Sequence, residues 1–454
     1  MSDTSASSVN YKNKLILAPM VRIGTLPMRL LSLDYGADLV YTEEIIDHKI
    51  LRSIRKVNGV LKTVDFIDRT DGSIIFRTCG KEKDKVILQL GTSDPERALK
   101  AAKMVENDVA GVDVNMGCPK SFSLKGGMGA ALLSNQDKAC KILKNLVDNL
   151  KIPVTCKIRV LDTTQETEDL CKRLCACGIA ALAVHGRMRH ERPQHSNRNG
   201  FIKRISEILP IPVIANGGSK EIENYNDIEK FKIATGCSSV MIARAAEWNC
   251  SIFRPEGKLP IDDVIKAYLH YAIDFNSSPS NCKYCIQNML RELQDTPQGK
   301  SFIETLTLEQ MSSVWGLDEY CRSKEIEHRQ MGILDRWEVK PMDDNKRRKI
   351  TSNECKDVTE MKCAFIRNLY PTESDLPKTK LFVYARRKAF DPPKYETIQL
   401  DKLFKSTVTL DLKKYSSSYW EKNKKWAEQT AAIVCLCSVG VMDVKMLQSN
   451  GSIR

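Results

Sequence analysis

The chain has no apolar run long enough to span a membrane. Its longest, Ala431 to Met442, still contains a Ser and a Gly and falls well short of the roughly 20 residues that a spanning helix needs. The N-terminal stretch MSDTSASSVNYKNK lacks both the apolar core of a secretory signal and the arginine enrichment of a mitochondrial one. There is no internal repeat. No G-x-G-x-x-G follows the first apolar run, which argues against a dinucleotide-binding Rossmann domain. The single C-x-x-C, Cys282–Cys285, has no second pair at zinc spacing, so no metal site is expected. The 16 cysteines are scattered and, without a secretion signal, read as reduced thiols of the cytosol or nucleus. Aromatic residues make up only 7%, but 42% of the chain is hydrophobic, which supplies a large core and excludes disorder throughout.

Positive charge is present and unevenly placed. The net charge is +13, and residues 336–454 carry 24 basic and 15 acidic side chains, or +9 of that total. A near-neutral body with a basic C-terminal part predicts a polyanionic partner for that part.

Short apolar or β-branched runs alternate with helix-like stretches along the first 260 residues. The runs are Leu15–Ala18, Leu39–Tyr41, Val86–Leu90, Val112–Asn115, Val154–Ile158, Leu182–His185, Val213–Ala215 and Ser239–Ala243. Continuous apolar strands with helical connections imply a parallel sheet. Eight such units fit a (β/α)8 barrel, an α/β TIM-barrel fold. The segment 55–80 reads as an inserted hairpin turning at Asp71-Gly72. The expected organisation is a disordered segment 1–11, the barrel at 12–260 and a small helical domain at 261–336. A linker follows at 337–360 with the basic run 346–349, then an α-β-β-β-α domain at 361–441 and a tail at 442–454.

In such a barrel the chemistry lies where the strands end. Here the ends are polar or glycine-rich: Ala18-Pro19-Met20, Glu43-Glu44, Gln89, Asn115 to Pro119, Lys157 and Arg159, His185 to Arg187, Asn216-Gly217-Gly218, and Ala243-Arg244. Taken alone, His185 reads more readily as a core histidine and Lys157 as a strand lysine reaching for solvent. Together they describe a cofactor site. Gly217-Gly218 and Arg244 suit a phosphate monoester. Gln89, Lys157 and His185 suit a flat polar heterocycle, and a lysine beside a flavin stabilises its anionic reduced form. The set implies FMN. Cys118 has no evident histidine base, so it suits proton donation better than nucleophilic attack.

These motifs resemble the tRNA-dihydrouridine synthases. The resemblance is carried by LAPM at 17–20, QLG at 89–91, VNMGCP at 114–119, GGMGAALL at 126–133, CKIR at 156–159, VHGR at 184–187, ANGG at 215–218 and MIARAA at 241–246. KKWAEQTAA at 424–432 is similar to the second helix of double-stranded-RNA-binding domains. A barrel joined to such a domain resembles the eukaryotic cytosolic branch acting on position 20 of the tRNA D-loop. The resemblance implies that NADPH reduces FMN, that the flavin passes a hydride to C6 of uracil, and that Cys118 protonates C5. It implies a flipped-out base held by Asn115 and Arg159, with Glu43 orienting a neighbour. It also implies tRNA contacts from Arg367, Lys378, Lys380, Lys424 and Lys425, and a monomer with no membrane partner. The strand connection Leu400-Asp401-Lys402-Leu403 lacks the G-P-x-H-type loop usual for that domain. The residues leave two other readings open: an FMN barrel acting on a small molecule, and a decayed barrel serving only as an RNA-binding protein.

Overall fold

A computed structural model of the chain describes residues 9–70, 72–333, 357–400, 403–421, 423–449 and 452–453. They divide into two compact units, Met1–Phe66 with Ile75–Ile303, and Ile67–Ile74 with Glu304–Arg454.

The first unit is built on eight parallel strands: Leu15–Leu17, Leu39–Tyr41, Val86–Gly91, Gly111–Met116, Val154–Arg159, Ala181–His185, Val213–Asn216 and Ser239–Ile242. The sheet closes on itself. The first strand pairs with the last (Leu15 opposite Val240) and with the second (Ile16 opposite Leu39), and the second pairs with the third (Val40 opposite Val86). The remaining strands pair in chain order. The expected (β/α)8 barrel is borne out. Its strands are apolar on both faces because helices cover the outside and side chains fill the inside.

Strand parity fixes which residues face inward. The interior cluster contains Ile16, Ala18, Leu39, Tyr41, Ile87, Ala181, Ala183, Ile214 and Met241. Side chains alternate along a strand, so the same face continues to Gln89, to Asp113 and Asn115, to Thr155, Lys157 and Arg159, and to His185, Asn216 and Ala243. Tyr11 belongs to this cluster and is 2% exposed, and its carbonyl accepts a hydrogen bond from Ser239 Oγ at 2.6 Å. The expectation of disorder through residue 11 is therefore corrected there, because Tyr11 fills the barrel interior. Residues 1–8 lie outside the described residues.

The insertion after the second strand is a separate three-stranded sheet, Ser53–Asn58, Thr63–Asp68 and Ile74–Cys79. Of its expected turn, Asp71 lies outside the described residues and Gly72 has φ +71°, the left-handed region that glycine enters without cost. The helices Ile261–Asp274 and Pro279–Leu290 belong to the first unit. Helix Ile261–Asp274 buries Val264, Ile265, Tyr268, Leu269, Ala272 and Ile273 and packs on helix Leu26–Asp34. The division at Ile303 thus falls inside the stretch read as one helical domain.

In the second unit, helix Pro377–Arg387, strands Lys394–Leu400, Leu403–Leu410 and Lys413–Ser417, and helix Lys424–Ser438 form the expected α-β-β-β-α order. Leu381, Val408, Tyr415, Ala431, Ile433 and Val434 lie in its core. Asn423 caps the last of these helices by accepting from Trp426 N at 2.9 Å. Two boundaries are corrected. Val358–Met361, read as the last three residues of a linker and the first of the domain, is a strand parallel to Lys413–Ser417, whose open edge it completes. The segment read as a tail contains helix Val444–Ser449, and its Leu447 and Ile453 are buried in the domain core. The rest of the linker, through residue 356, and Asp401-Lys402 of the strand connection lie outside the described residues.

Candidate active site and nucleic-acid interface

The inward residues of strands three to five form a chain of hydrogen bonds at the barrel mouth. Gln89 Nε2 donates to Asp113 Oδ2 at 2.8 Å, and Thr155 Oγ1 donates to Asp113 Oδ1 at 2.7 Å. Asn115 Nδ2 donates to Gln89 Oε1 at 3.1 Å. Asn115 Oδ1 accepts from the backbone N–H groups of Gly117 at 2.9 Å and Cys118 at 3.0 Å. Burial pushes the Asp113 carboxyl up to about 6, opposed by the Gln89 and Thr155 bonds. Asn115 thus spends its carbonyl oxygen on the Cys118 loop.

Next to this chain stand groups that the protein leaves unspent. Lys157 makes no hydrogen bond or ion pair among the described residues, and burial, with Arg159 nearby, pulls its ammonium down to about 8. Arg159 gives Nε to Gly117 O at 2.8 Å and Nη1 to Met188 O at 3.0 Å, which leaves Nη2 for a ligand. Burial, then Arg192 and Arg187, brings its guanidinium down to about 10. His185 is held well below its ordinary range by burial and by Lys157, so it is neutral. Its Nε2 faces Arg187 Nη1 at 3.2 Å. Arginine only donates, so Nε2 accepts and the ring proton sits on Nδ1.

Cys118 follows the fourth strand on a loop closed by glycines. Its carbonyl accepts from Ala130 N at 3.0 Å. Gly129 has φ +57°, and a Cβ there would lie 2.5 Å from Ser123 Oγ and 2.7 Å from Cys118 O. Burial raises the thiol above its usual range, and the Glu44 carboxylate beside it adds to the effect. Such a sulfur keeps its proton near neutral pH. Burial raises Glu44 as well. Glu43, by contrast, accepts from Arg22 N at 2.9 Å, so Glu44 is the neighbour of the thiol.

A cradle forms across strands six to eight. Arg187 Nη1 donates to Gly217 O at 2.7 Å. Gly217 has φ +113°, and a Cβ there would lie 2.1 Å from Asn197 Oδ1. Asn197 Oδ1 and Ser219 Oγ are buried polar atoms without a hydrogen-bond partner among the described residues. Asn216 Nδ2 donates to Met241 O at 2.8 Å, so its amide is used by the barrel. Arg244 is exposed. Ala18 is buried, and Met20 and Ala243 pack beside it on the interior cluster; Pro19 is half-buried.

Asp113, Glu44, Arg187 and Asn197 carry no role in the sequence reading. Glu44 and Arg187 stand among the polar strand ends, and Asp113 had a signal too: an Asp between valines in a buried strand, two residues before Asn115, repeats the inward parity.

In the C-terminal domain the named cations are used unequally. Lys378 pairs with Glu428 and lies 4.6 Å from the Tyr395 ring centre. Lys380 pairs with Asp375 at 3.6 Å, and Arg367 bonds Tyr370 O and pairs with Glu373 at 3.6 Å. Lys424 lies 3.9 Å from Glu428 with its side chain 66% exposed. Lys425 is exposed.

Comparison with known proteins agrees with this arrangement. The dihydrouridine synthase family matches residues 16–302, and the double-stranded RNA binding motif matches 377–439. A tRNA-dihydrouridine(20) synthase of Schizosaccharomyces pombe is 42% identical over 62% of this chain and 60% of its own length. The Saccharomyces cerevisiae protein of the same name is 39% identical over 62% of this chain and 78% of its own. A crystal structure of a tRNA-dihydrouridine(20) synthase dsRBD domain is 46% identical, covering 19% of this chain and 92% of its own, with a TM-score of 0.18.

Proposed function

The chain belongs to the dihydrouridine synthase family, and from that premise we propose that it reduces a uridine of the tRNA D-loop, at position 20, to 5,6-dihydrouridine, with FMN as bound cofactor and NADPH as reductant. The observation that carries this reading is the convergence of unspent groups on one inward face. Lys157, the Nδ1–H of His185 and Arg159 Nη2 lie at the mouth where the Cys118 loop begins. A fold that buries a lysine without a partner pays a desolvation cost that an anionic ligand offsets.

The residues present fit FMN. Ala18, Ala183 and Ala243 are small inward residues where many barrels place bulky ones, which leaves room for a flat ring. Lys157 and His185 Nδ1 supply donors to that ring, and Gln89, tied to Asp113, lines it. Asn197 Oδ1 and Ser219 Oγ, both orphaned, offer an acceptor and a hydroxyl beside Gly217-Gly218 for the polar tail, and Arg244 offers a charge for the phosphate. When bound and reduced, the flavin supplies the hydride for C6 of the uracil ring. Cys118 holds its proton because burial and Glu44 disfavour the thiolate, and it delivers that proton to C5. Arg159 Nη2 and the second N–H of Asn115 face the edge of a flipped-out base. Lys424 and Lys425 open a helix with their side chains toward solvent and hold tRNA phosphate, with weaker contributions from Arg367, Lys378 and Lys380, whose charges are shared internally.

The test is mass-spectrometric nucleoside mapping of tRNA from cells lacking the protein. Dihydrouridine is expected to disappear at one D-loop position and to return with the wild-type protein. An unchanged dihydrouridine map would overturn the reading.

A further inference from the structure

We propose that Asp113 is a positioning residue: it sets the orientation of two amide side chains, Gln89 and Asn115, and through them the loop that carries Cys118. This inference rests on the proton-donor role of Cys118 proposed above. Asp113 is fully buried and sits in register between Gln89 and Thr155 on the flanking strands. A buried carboxylate costs several kcal/mol unless it is well bonded, and here it is spent on neighbours rather than on solvent.

The argument is one of hydrogen-bond direction. A primary amide can present either end to a neighbour, and the two ends are nearly the same shape. Above about pH 6 Asp113 is ionised and can only accept, so Gln89 must turn its Nε2 toward it, at 2.8 Å. That leaves Gln89 Oε1 facing Asn115, which must answer with Nδ2, at 3.1 Å. Asn115 Oδ1 is then left for the N–H groups of Gly117 and Cys118, at 2.9 and 3.0 Å, and these can only donate. An obligate acceptor at one end and obligate donors at the other make the chain run one way. Thr155 holds the far oxygen of Asp113 at 2.7 Å; because its one proton goes to the carboxylate, Thr155 Oγ1 can only accept from Tyr41 OH, 3.4 Å away.

Asp113→Asn keeps the shape but leaves one acceptor where there were two. Thr155 and Gln89 then compete for it. When Thr155 wins, the amide chain reverses and N–H meets N–H at the Cys118 loop. Removing the competitor with Thr155→Val frees the new carbonyl oxygen for Gln89 and restores the direction. Holoprotein is reduced anaerobically with NADPH and then mixed with tRNA lacking dihydrouridine. Flavin absorbance follows both half-reactions. In D113N the flavin content and its reduction by NADPH are expected to stay within about threefold of wild type. Reoxidation by tRNA is expected to slow by about 10–100-fold, the scale of a small displacement of a reacting group. In D113N/T155V reoxidation is expected to recover, although the protein melts at a lower temperature than either parent. A carboxylate that merely ties strands together predicts the opposite: the double variant is slower and less stable than D113N.

Reoxidation of D113N within twofold of wild type, equal slowing of both half-reactions, or a double variant slower than D113N would each overturn the proposal. Should D113N not accumulate as folded protein, Gln89→Met removes the middle link, and with saturating FMN its reoxidation by tRNA is expected to fall at least about tenfold further than its reduction by NADPH. Wild-type reoxidation by Q89M would overturn it. If tRNA fails to reoxidise the reduced wild-type protein, the functional reading fails instead of the positioning one.

Discussion

The barrel mouth and the C-terminal domain both gather positive charge, but they hold it in different ways. At the mouth, Lys157 is drawn into a low-dielectric site, where Arg159 opposes its charge and Asp113 favours it, and it makes no hydrogen bond or ion pair among the described residues. In the C-terminal domain, Lys378 and Lys380 lie on a helix surface and are answered by Glu428 and Asp375. A cation buried without an answer costs the fold free energy that a ligand must offset, whereas an exposed pair is worth at most about 1 kcal/mol either way. Charge alone therefore identifies neither region. The useful distinction is whether the protein itself uses the charge.

Removing the mouth's proton donor should produce the largest effect. Cys118→Ala is expected to lower turnover by about 10²–10⁴-fold, the usual contribution of a placed general acid. Flavin content and NADPH-driven flavin reduction should persist, because neither uses the thiol. Stopped-flow measurement of the two half-reactions checks this, and tRNA reduction at the wild-type rate would remove Cys118 from the mechanism.

The cradle is next. Gly217→Ala places a methyl 2.1 Å from Asn197 Oδ1 at φ +113°. Strain at such a position costs about 1–3 kcal/mol. The variant is expected to purify with little flavin and to melt earlier. Full flavin content in G217A would show that this turn is not part of the cofactor site.

The unanswered lysine should also give the mouth a pH signature that the C-terminal domain lacks. Lys157 titrates at about 8 in the fold against an ordinary value of 10.5. Below about 8 it is charged and attracts an anionic ligand. As pH rises through about 8 it becomes neutral, so the apoprotein's FMN affinity should fall there, and Lys157→Met should flatten the profile. Stability moves the other way. Between about 8 and 10.5 the unfolded chain binds more protons than the folded one, so this residue makes folding more favourable as pH rises in that window. Fluorescence titration of apoprotein with FMN at several pH values decides the first point: identical profiles for wild type and K157M would detach Lys157 from the flavin.

Much of this site was legible in the sequence because a barrel places function on strand ends and side-chain parity is strict. Once Leu15–Leu17 to Ser239–Ile242 are recognised as strands, Gln89, Asn115, Lys157, His185 and Asn216 fall on one face without any side-chain information. What stayed illegible depends on partners brought together across the sheet. Nothing in the local sequence says that Glu44 rather than Glu43 lies beside Cys118, or that Arg187 holds His185 in one tautomer. The termini were misread for a related reason. Tyr11, Val358–Met361 and Ile453 lie in segments of polar composition, and each is ordered because a few apolar side chains or one free strand edge find a place in a distant core.

The C-terminal lysines supply the smallest effect and the sharpest division within one domain. Lys424 and Lys425 begin a helix, and the Lys424 side chain is 66% exposed with Glu428 a loose 3.9 Å away. Lys378 is bound to the same Glu428 and lies over Tyr395, and its backbone N–H donates to Gln429 Oε1 at 2.9 Å, tying helix Pro377–Arg387 to helix Lys424–Ser438. If phosphate is held by charge that the protein does not use, reversing Lys424 and Lys425 to Glu should weaken tRNA binding. It should also shallow the salt dependence of the logarithm of affinity by roughly one unit per lost contact. Lys378→Ala should leave that slope nearly unchanged and lower the melting temperature instead, by an amount corresponding to at most about 1 kcal/mol. Affinities of the three full-length proteins for tRNA at two salt concentrations, with their melting curves, separate the cases. A slope change in K378A as large as in the double reversal would mean that internally paired lysines open to meet RNA. The contrast between used and unused charge would then fail in this domain while still standing at the barrel mouth, where Lys157 makes no ion pair among the described residues.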